Sequence, residues 1–172
     1  MRIALFGGTF NPVHQGHLLM AELARESFHL QKVIFVPAGQ PPHRRAPRTS
    51  ALDRLSMVRL AIRGNPFFTV SDWEIRRQRV VYSIETLTHF RRLHPRARWH
   101  FIIGADERRN LPRWKDSRTL QRMCRFIGVD RFEPYASTDI RRRVRRGLSI
   151  RYHVPEPVAR YIQNHRLYQK PE

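Results

Sequence analysis

The sequence predicts an α/β protein whose core is an open, doubly wound parallel sheet, with a small helical part at the C-terminal end. Three observations carry this reading. Short apolar runs of strand character recur at Ile3 to Phe6, Lys32 to Pro37 and Trp99 to Ile103, each followed by turn residues. Segments with apolar residues at helical spacing separate them, and a glycine pair follows the first run directly.

The first unit runs from Ile3 to Pro37. Ile3 to Phe6 is a strand, and Gly7 and Gly8 are expected to end it in a turn with positive φ that brings the main chain close to a ligand. Asn11-Pro12 continues the turn. A helix beginning near Gln15 and running to Phe28 carries Leu19, Leu23, Ala24 and Phe28 on one face, and Lys32 to Pro37 completes a βαβ unit. Ala38 to Ser50 is a loop rich in proline and arginine. Asp53 to Arg63 reads as an amphipathic helix closed by Gly64-Asn65-Pro66, and Phe67 to Ser71 as a third strand. Ser83 to Leu93 is helical, Trp99 to Ile103 is the fourth strand, Thr119 to Met123 is a short helix, and Phe126 to Val129 is a further apolar strand. From Ser137 to Tyr168 strand signal fades, leaving helices around Val154-Pro155-Glu156-Pro157. The organisation expected is one integrated unit, with a sheet core over 1–135 and a helical part over 136–172.

The 172 residues suffice for one full core and not for two enzyme domains. Lys and Arg number 33 against 14 acidic residues, a formal net charge of +19, so the ligand is expected to be anionic. The arginines are scattered rather than gathered in a tail, and neither zinc-finger spacing nor an aromatic RNA-recognition signature is present, so nucleic acid is not the expected partner. The single cysteine, Cys124, excludes an internal disulfide and reads as a core thiol. No apolar run has the length of a membrane span; a cytoplasmic location is expected.

Chemistry concentrates at the first turn. Gly7, Gly8 and Thr9 offer backbone N–H groups and a hydroxyl, and the helix after Pro12 aims its unpaired N–H groups at the same place. His14 and His17, three residues apart, can both face that loop and donate to phosphate oxygens. Either feature alone also occurs in an ordinary strand-to-helix turn; the combination points to a phosphate cradle. Zinc is disfavoured, because two histidines lack a third ligand nearby. Near the other end, Ser137-Thr138-Asp139 precedes an apolar and basic helix and reads as an N-cap, which would offer hydroxyls, N–H groups and Arg141 to an anion.

Gly7-Gly8-Thr9-Phe10-Asn11-Pro12-Val13-His14-Gln15-Gly16-His17 resembles the two-histidine signature of the nucleotidyltransferase superfamily. Ala136-Ser137-Thr138-Asp139-Ile140-Arg141 resembles the second phosphate element of its small adenylyltransferases. Val36 to His43, Phe101 to Asp106 and Leu111-Pro112-Arg113-Trp114 resemble the middle motifs of bacterial nicotinate-nucleotide adenylyltransferases, and the likeness covers nearly the whole chain. This resemblance implies a Rossmann-like fold and adenylyl transfer from ATP to nicotinate mononucleotide in NAD biosynthesis. It implies that Gly7, Gly8, Thr9, Phe10, His14, His17, Ser137, Thr138 and Arg141 hold ATP, with His14, His17 and Arg141 catalytic. Mg²⁺ would be bound mainly through the ATP phosphates. On the acceptor side it implies His43 and Arg44 near the phosphates, Tyr82 and Ser83 at the nicotinate carboxylate, Asp106 organising the nucleotides, and Trp114 stacked on the pyridine ring. Nicotinamide mononucleotide or another phosphate acceptor, and an inactive relative that binds nucleic acid, are the competing readings.

The chain departs from the family pattern twice. Arg79-Val80-Val81 stands where the family has Gly-Pro-Ser before the Tyr82-Ser83 pair. Only Asp130 to Tyr135 separates the last apolar strand from Ser137, where the family carries a further helix and strand. Either Arg131 to Tyr135 serves as the last strand, or one sheet element is missing and the substrate side is more open.

Overall fold

The apolar runs become strands because each alternates its side chains between two covered faces. In the computed structural model, which describes residues 1–41, 47, 49–130, 132 and 135–169, five parallel strands form one sheet. They are β1 (Arg2–Gly8), β2 (Lys32–Pro37), β3 (Phe68–Val70), β4 (Arg98–Gly104) and β5 (Arg125–Val129), in the order β3-β2-β1-β4-β5. Ala4, Phe6, Val33, Phe35, Ile102 and Ile127 face one core, while Ile3, Leu5, Ile34, Val36, Phe101 and Ile103 face the other. Burial on both faces explains why these strands read as continuous apolar runs.

The first core is closed by α1 (Gln15–Ser27), α2 (Ala51–Ala61), α6 (Ser137–Arg145) and α7 (Glu156–Asn164), which contribute Met20, Met57, Ile140 and Val158. The second is closed by α4 (Ser83–Leu93) and α5 (Ser117–Met123), through Leu87, Phe90 and Leu120. A short α3 (Trp73–Arg76) and a 3₁₀ segment (Ala105–Arg113) complete the set; α3 is a single turn, and the 3₁₀ segment repeats every three residues rather than 3.6 and contains Pro112, so α-helical periodicity finds neither. Helix α2 starts two residues before the expected Asp53, since Ser50 caps it by accepting from the Asp53 N–H at 3.0 Å.

Strand order reverses between β1 and β4. Their carboxyl ends therefore diverge into loops running to opposite sides of the sheet, and that divergence creates the crevice where α/β proteins take ligands.

One expectation needs correction, and another falls mostly outside the described residues. Gly7 and Gly8 do not turn the chain with positive φ: both belong to β1, paired with Val36 and Pro37, and the left-handed residue is Phe10, at φ 49°. Glycine at position 8 answers a spatial need, because a Cβ there would stand 3.0 Å from the Phe10 ring folded beneath it. The alternative that put a last strand at Arg131 to Tyr135 falls mostly on Arg131, Glu133 and Pro134, which lie outside the described residues. The Tyr135 N–H donates to Phe132 O at 2.9 Å, and neither of these two residues belongs to a strand. Among the described residues β5 is an edge, and Phe132 and Tyr135 lie over the crevice in place of the longer connection.

No helix among the described residues is long and apolar enough to cross a membrane. Cys124 is buried, and burial pushes its thiol pKa up to about 12, so it is a packing residue rather than a nucleophile.

Candidate active site

At the carboxyl ends of β1 and β4 lies a cleft of about 1060 Å³. Its phosphate-type end is built from two segments distant in sequence. The Ser137 hydroxyl donates to Pro12 O at 2.9 Å and Arg141 Nη1 donates to Asn11 O at 2.8 Å, spanning 125 and 130 residues. These bonds seat the N-terminus of α6 beside that of α1, so two helix dipoles and their first-turn N–H groups converge on one end of the cleft. Ser137 is thus not the cap expected from its position. Ala136 occupies the cap and Ser137 is the first helical residue, its hydroxyl drawn away to the Pro12 carbonyl. The Tyr168 hydroxyl donates to Asn11 Oδ1 at 2.8 Å, so the C-terminal part also braces the loop.

His14 and His17 stack with ring centroids 3.7 Å apart, and His17 also meets the edge of Phe10 at 5.1 Å. The His14 backbone N–H donates to His17 Nδ1 at 3.2 Å. That bond makes Nδ1 an acceptor, so the neutral ring carries its proton on Nε2, the tautomer that donates to a phosphate oxygen. Gly16 is needed beside them: a Cβ there would meet Tyr135 Cβ at 2.9 Å. Gly7, Gly8, Thr9, Phe10, His14, His17, Ser137, Thr138 and Arg141 all line the cleft.

The opposite end is formed by the start of α4 and the 3₁₀ segment. Tyr82, Ser83 and Trp114 line it. The Tyr82 N–H is engaged by Glu85 Oε1 at 3.1 Å, which leaves Ser83, first residue of α4, to offer the helix N-terminus. Trp114 stands edge-on to Phe101 and Phe126, at 5.9 and 6.0 Å, and its Nε1–H donates to Glu107 at 3.4 Å. Those contacts fix the indole plane at the cleft wall. Arg79, which replaces the glycine of the family pattern, pairs with Glu85 at 2.7 Å and donates to Val80 O at 2.8 Å, so the altered loop is pinned by an ion pair. The Arg79 hydrogen bond to the Glu85 carboxylate is the main cause that holds that carboxyl below its ordinary pKa.

Asp106 lies in the first turn of the 3₁₀ segment and is exposed; its neighbour Glu107 lines the cleft instead. His43 and Arg44 fall outside the described residues. Sequence reasoning missed four contributors. Glu74 lines the cleft, buried, accepting from the Thr86 hydroxyl at 2.6 Å. Lys115 stands over the Tyr82 ring at 4.5 Å, Tyr135 covers the start of α1, and Arg54 binds the loop after β1 from behind. Among the described residues no three His, Cys, Asp or Glu side chains come together to hold a metal ion.

The fold has close counterparts among solved structures. A Vibrio parahaemolyticus protein superposes with TM-score 0.82 at 23% identity, covering 99% of this chain and 98% of its own. Plasmodium falciparum nicotinic acid mononucleotide adenylyltransferase, solved in complex with NaAD, gives 0.77 at 14%, covering 98% and 97%. The cytidylyltransferase-like family model matches residues 5–143. A Synechococcus protein (strain JA-2-3B'a(2-13)) named "Probable nicotinate-nucleotide adenylyltransferase" is 41% identical over 99% of this chain and 98% of its own length. One of the same name from Exiguobacterium sibiricum is 41% identical over 98% and 99%. The Synechococcus alignment runs over 198 positions against the 172 residues here, so that relative carries internal segments which this chain lacks, in keeping with the short connection after β5. Similarity of this extent and coverage shows that the chain belongs to the nicotinate-nucleotide adenylyltransferase family, within the cytidylyltransferase-like nucleotidyltransferases.

Proposed function

We propose that the cleft holds ATP and nicotinate mononucleotide together and transfers the adenylyl group between them, giving nicotinate adenine dinucleotide and pyrophosphate. The observation that carries this reading is the pair of hydrogen bonds from Ser137 and Arg141 to the Pro12 and Asn11 carbonyls, which make one cradle of two distant motifs. That cradle opens into the same cleft as Trp114, Tyr82 and Ser83.

The reaction needs no protein nucleophile. A 5′-phosphate oxygen of the acceptor attacks the α-phosphorus of ATP; the bond from that phosphorus to the α,β-bridging oxygen breaks, and its electrons leave with pyrophosphate. The protein must bring two anions together in line and neutralise charge on the pentacoordinate phosphorus and the leaving group. The Nε2–H of His17, the main-chain N–H groups of the loop after β1, the N-terminus of α6 and Arg141 supply donors at that end. No acidic side chain lines the phosphate end among the described residues; Glu74 and Glu107 stand at the other. That donor set suits ATP entering as its Mg²⁺ complex, the ion held by phosphate and water and supplying charge neutralisation.

Pyrophosphate release with ATP and nicotinate mononucleotide, run beside nicotinamide mononucleotide, tests the reading. Release with the nicotinate acceptor is expected; preference for the amide would transfer the assignment, and silence with both would overturn it. Trp114→Ala tests the acceptor end. Losing one aromatic stacking surface costs about 1–3 kcal/mol, so KM for the acceptor should rise about tenfold or more while KM for ATP stays near wild type. Equal rises in both would remove Trp114 from the pyridine site.

A further inference from the structure

We infer that Arg54, outside the cleft and behind its wall, is a positioning residue that aims the phosphate cradle. The inference rests on the adenylyl-transfer reading above. Arg54 is 1% exposed, the largest of the fully buried side chains among the described residues. Its Nη1 donates to Thr9 O at 2.7 Å and its Nη2 to Gly39 O at 3.2 Å. Those carbonyls belong to the loops after β1 and β2, adjacent strands whose carboxyl ends form one side of the cleft. A single guanidinium therefore clamps both loops from below.

The guanidinium sits there without a carboxylate partner among the described residues. Asp53, its neighbour in sequence, instead accepts from the Ser50 hydroxyl at 2.7 Å and the Tyr161 hydroxyl at 2.9 Å. Burial accordingly pulls the Arg54 pKa below its ordinary value. Placing an arginine in such a site is costly, and an apolar residue would fill the volume without that cost. The carbonyls it holds are the reason to look for a function.

A trans peptide is planar, with its C=O and N–H pointing in opposite directions. The Thr9–Phe10 bond is trans; among the described residues the cis bond is Asn11-Pro12. Drawing Thr9 O toward buried Arg54 turns the Phe10 N–H away from it, to the side on which the cleft lies. The same bond restrains Phe10 in a left-handed conformation, φ 49°, which a bulky side chain rarely adopts unless its surroundings over-determine it. The Phe10 ring is held in turn by Phe6 and Phe35, at 5.6 and 5.8 Å. Arg54 thus acts through the peptide: it orients a donor and, as a buried cation beyond that carbonyl, polarises it toward an incoming triphosphate.

Arg54→Lys, Arg54→Met and Arg54→Ala, each confirmed folded by circular dichroism at assay temperature, test this with pyrophosphate release and with ATP affinity by calorimetry. Hydrogen bonds to a charged group carry about 1.5–3 kcal/mol, so kcat/KM for ATP in Arg54→Met should fall about 10- to 100-fold. The acceptor KM should move far less. Arg54→Lys should recover part of the loss, because one ammonium cannot span both carbonyls. Free guanidinium at about tens of millimolar should partly restore Arg54→Ala where equal sodium chloride does not, as expected of a vacated fork-shaped donor site. Wild-type ATP parameters in folded Arg54→Lys and Arg54→Met would overturn the inference. So would an equal loss toward ATP and acceptor that guanidinium fails to restore, since that marks a merely structural residue. Should the wild-type protein release no pyrophosphate, the adenylyl-transfer reading fails instead, and calorimetric ATP affinity still reads Arg54 by itself.

Discussion

Replacing His17 by alanine is expected to lower kcat by about 10²-fold or more, the cost of removing one preorganised donor to a developing oxyanion. KM for ATP should change only a few-fold. The split follows from the geometry: the ring is locked before substrate arrives, with Nδ1 holding the His14 N–H at 3.2 Å and its faces set by His14 and Phe10. Nε2–H is then a fixed donor with little reorganisation to undergo. On the proposed reading, ATP in its ground state would keep the N-termini of α1 and α6 and Arg141 as partners, so binding should survive. What is lost is stabilisation of charge that appears only as the α,β-bridge breaks. His17→Gln, which keeps a donor without the ring, should lie between. Steady-state kinetics with pyrophosphate detection makes the comparison, and an unchanged kcat in His17→Ala would remove His17 from the chemistry.

That expectation was already legible in the sequence, and the reason is locality. A strand, a tight loop and a helix with histidines three apart are specified within seventeen residues, and Ser137 to Arg141 sits on one helical turn. The parallel sheet was legible because both faces of β1, β2 and β4 are buried, which forces continuous apolar runs. What escaped depends on contacts between segments far apart. The glycine pair stays extended because it pairs with Val36 and Pro37 of β2, with Phe10 folded beneath Gly8, long-range facts that dipeptide statistics do not hold. The placement of Phe132 and Tyr135 at the cleft, far in sequence from the residues they cover, depends on such contacts too.

Arg54 illustrates the limit most clearly, because among 33 basic residues one more arginine carries no signal by type. It does carry one by position: Arg54, Val58 and Ile62 form an i, i+4, i+8 row on α2 and its end, and the other two members are buried. A charged residue in register with a row of apolar residues on a helix is the pattern that would have found it.

Glu74 had no such signal, and it yields the second large expectation. Its carboxyl is buried beside Val81, Tyr82 and Ser83, with the Thr86 hydroxyl donating to one oxygen at 2.6 Å. Burial is the main cause that raises its pKa to about 7, against an ordinary 4.5; the Thr86 bond opposes the rise and Glu85 adds to it. Between those two pH values the folded protein holds a proton that the unfolded chain has released. Stability from this group is therefore full below about pH 4.5, falls as pH rises through the window to about 7, and stays lower beyond. A shift of this size corresponds to about 3 kcal/mol. Glu74→Gln cannot ionise and keeps an oxygen for the Thr86 hydroxyl, so its stability should be nearly flat over the same window. The variant should match wild type at about pH 5 and exceed it at about pH 8, read from urea midpoints at constant m-value. Parallel pH profiles for the two proteins would show that Glu74 titrates as an ordinary carboxylate. At the acceptor end the same sign holds: an anionic acceptor beside Glu74 favours its neutral form, so acceptor KM should climb above about pH 7 in wild type and much less in Glu74→Gln.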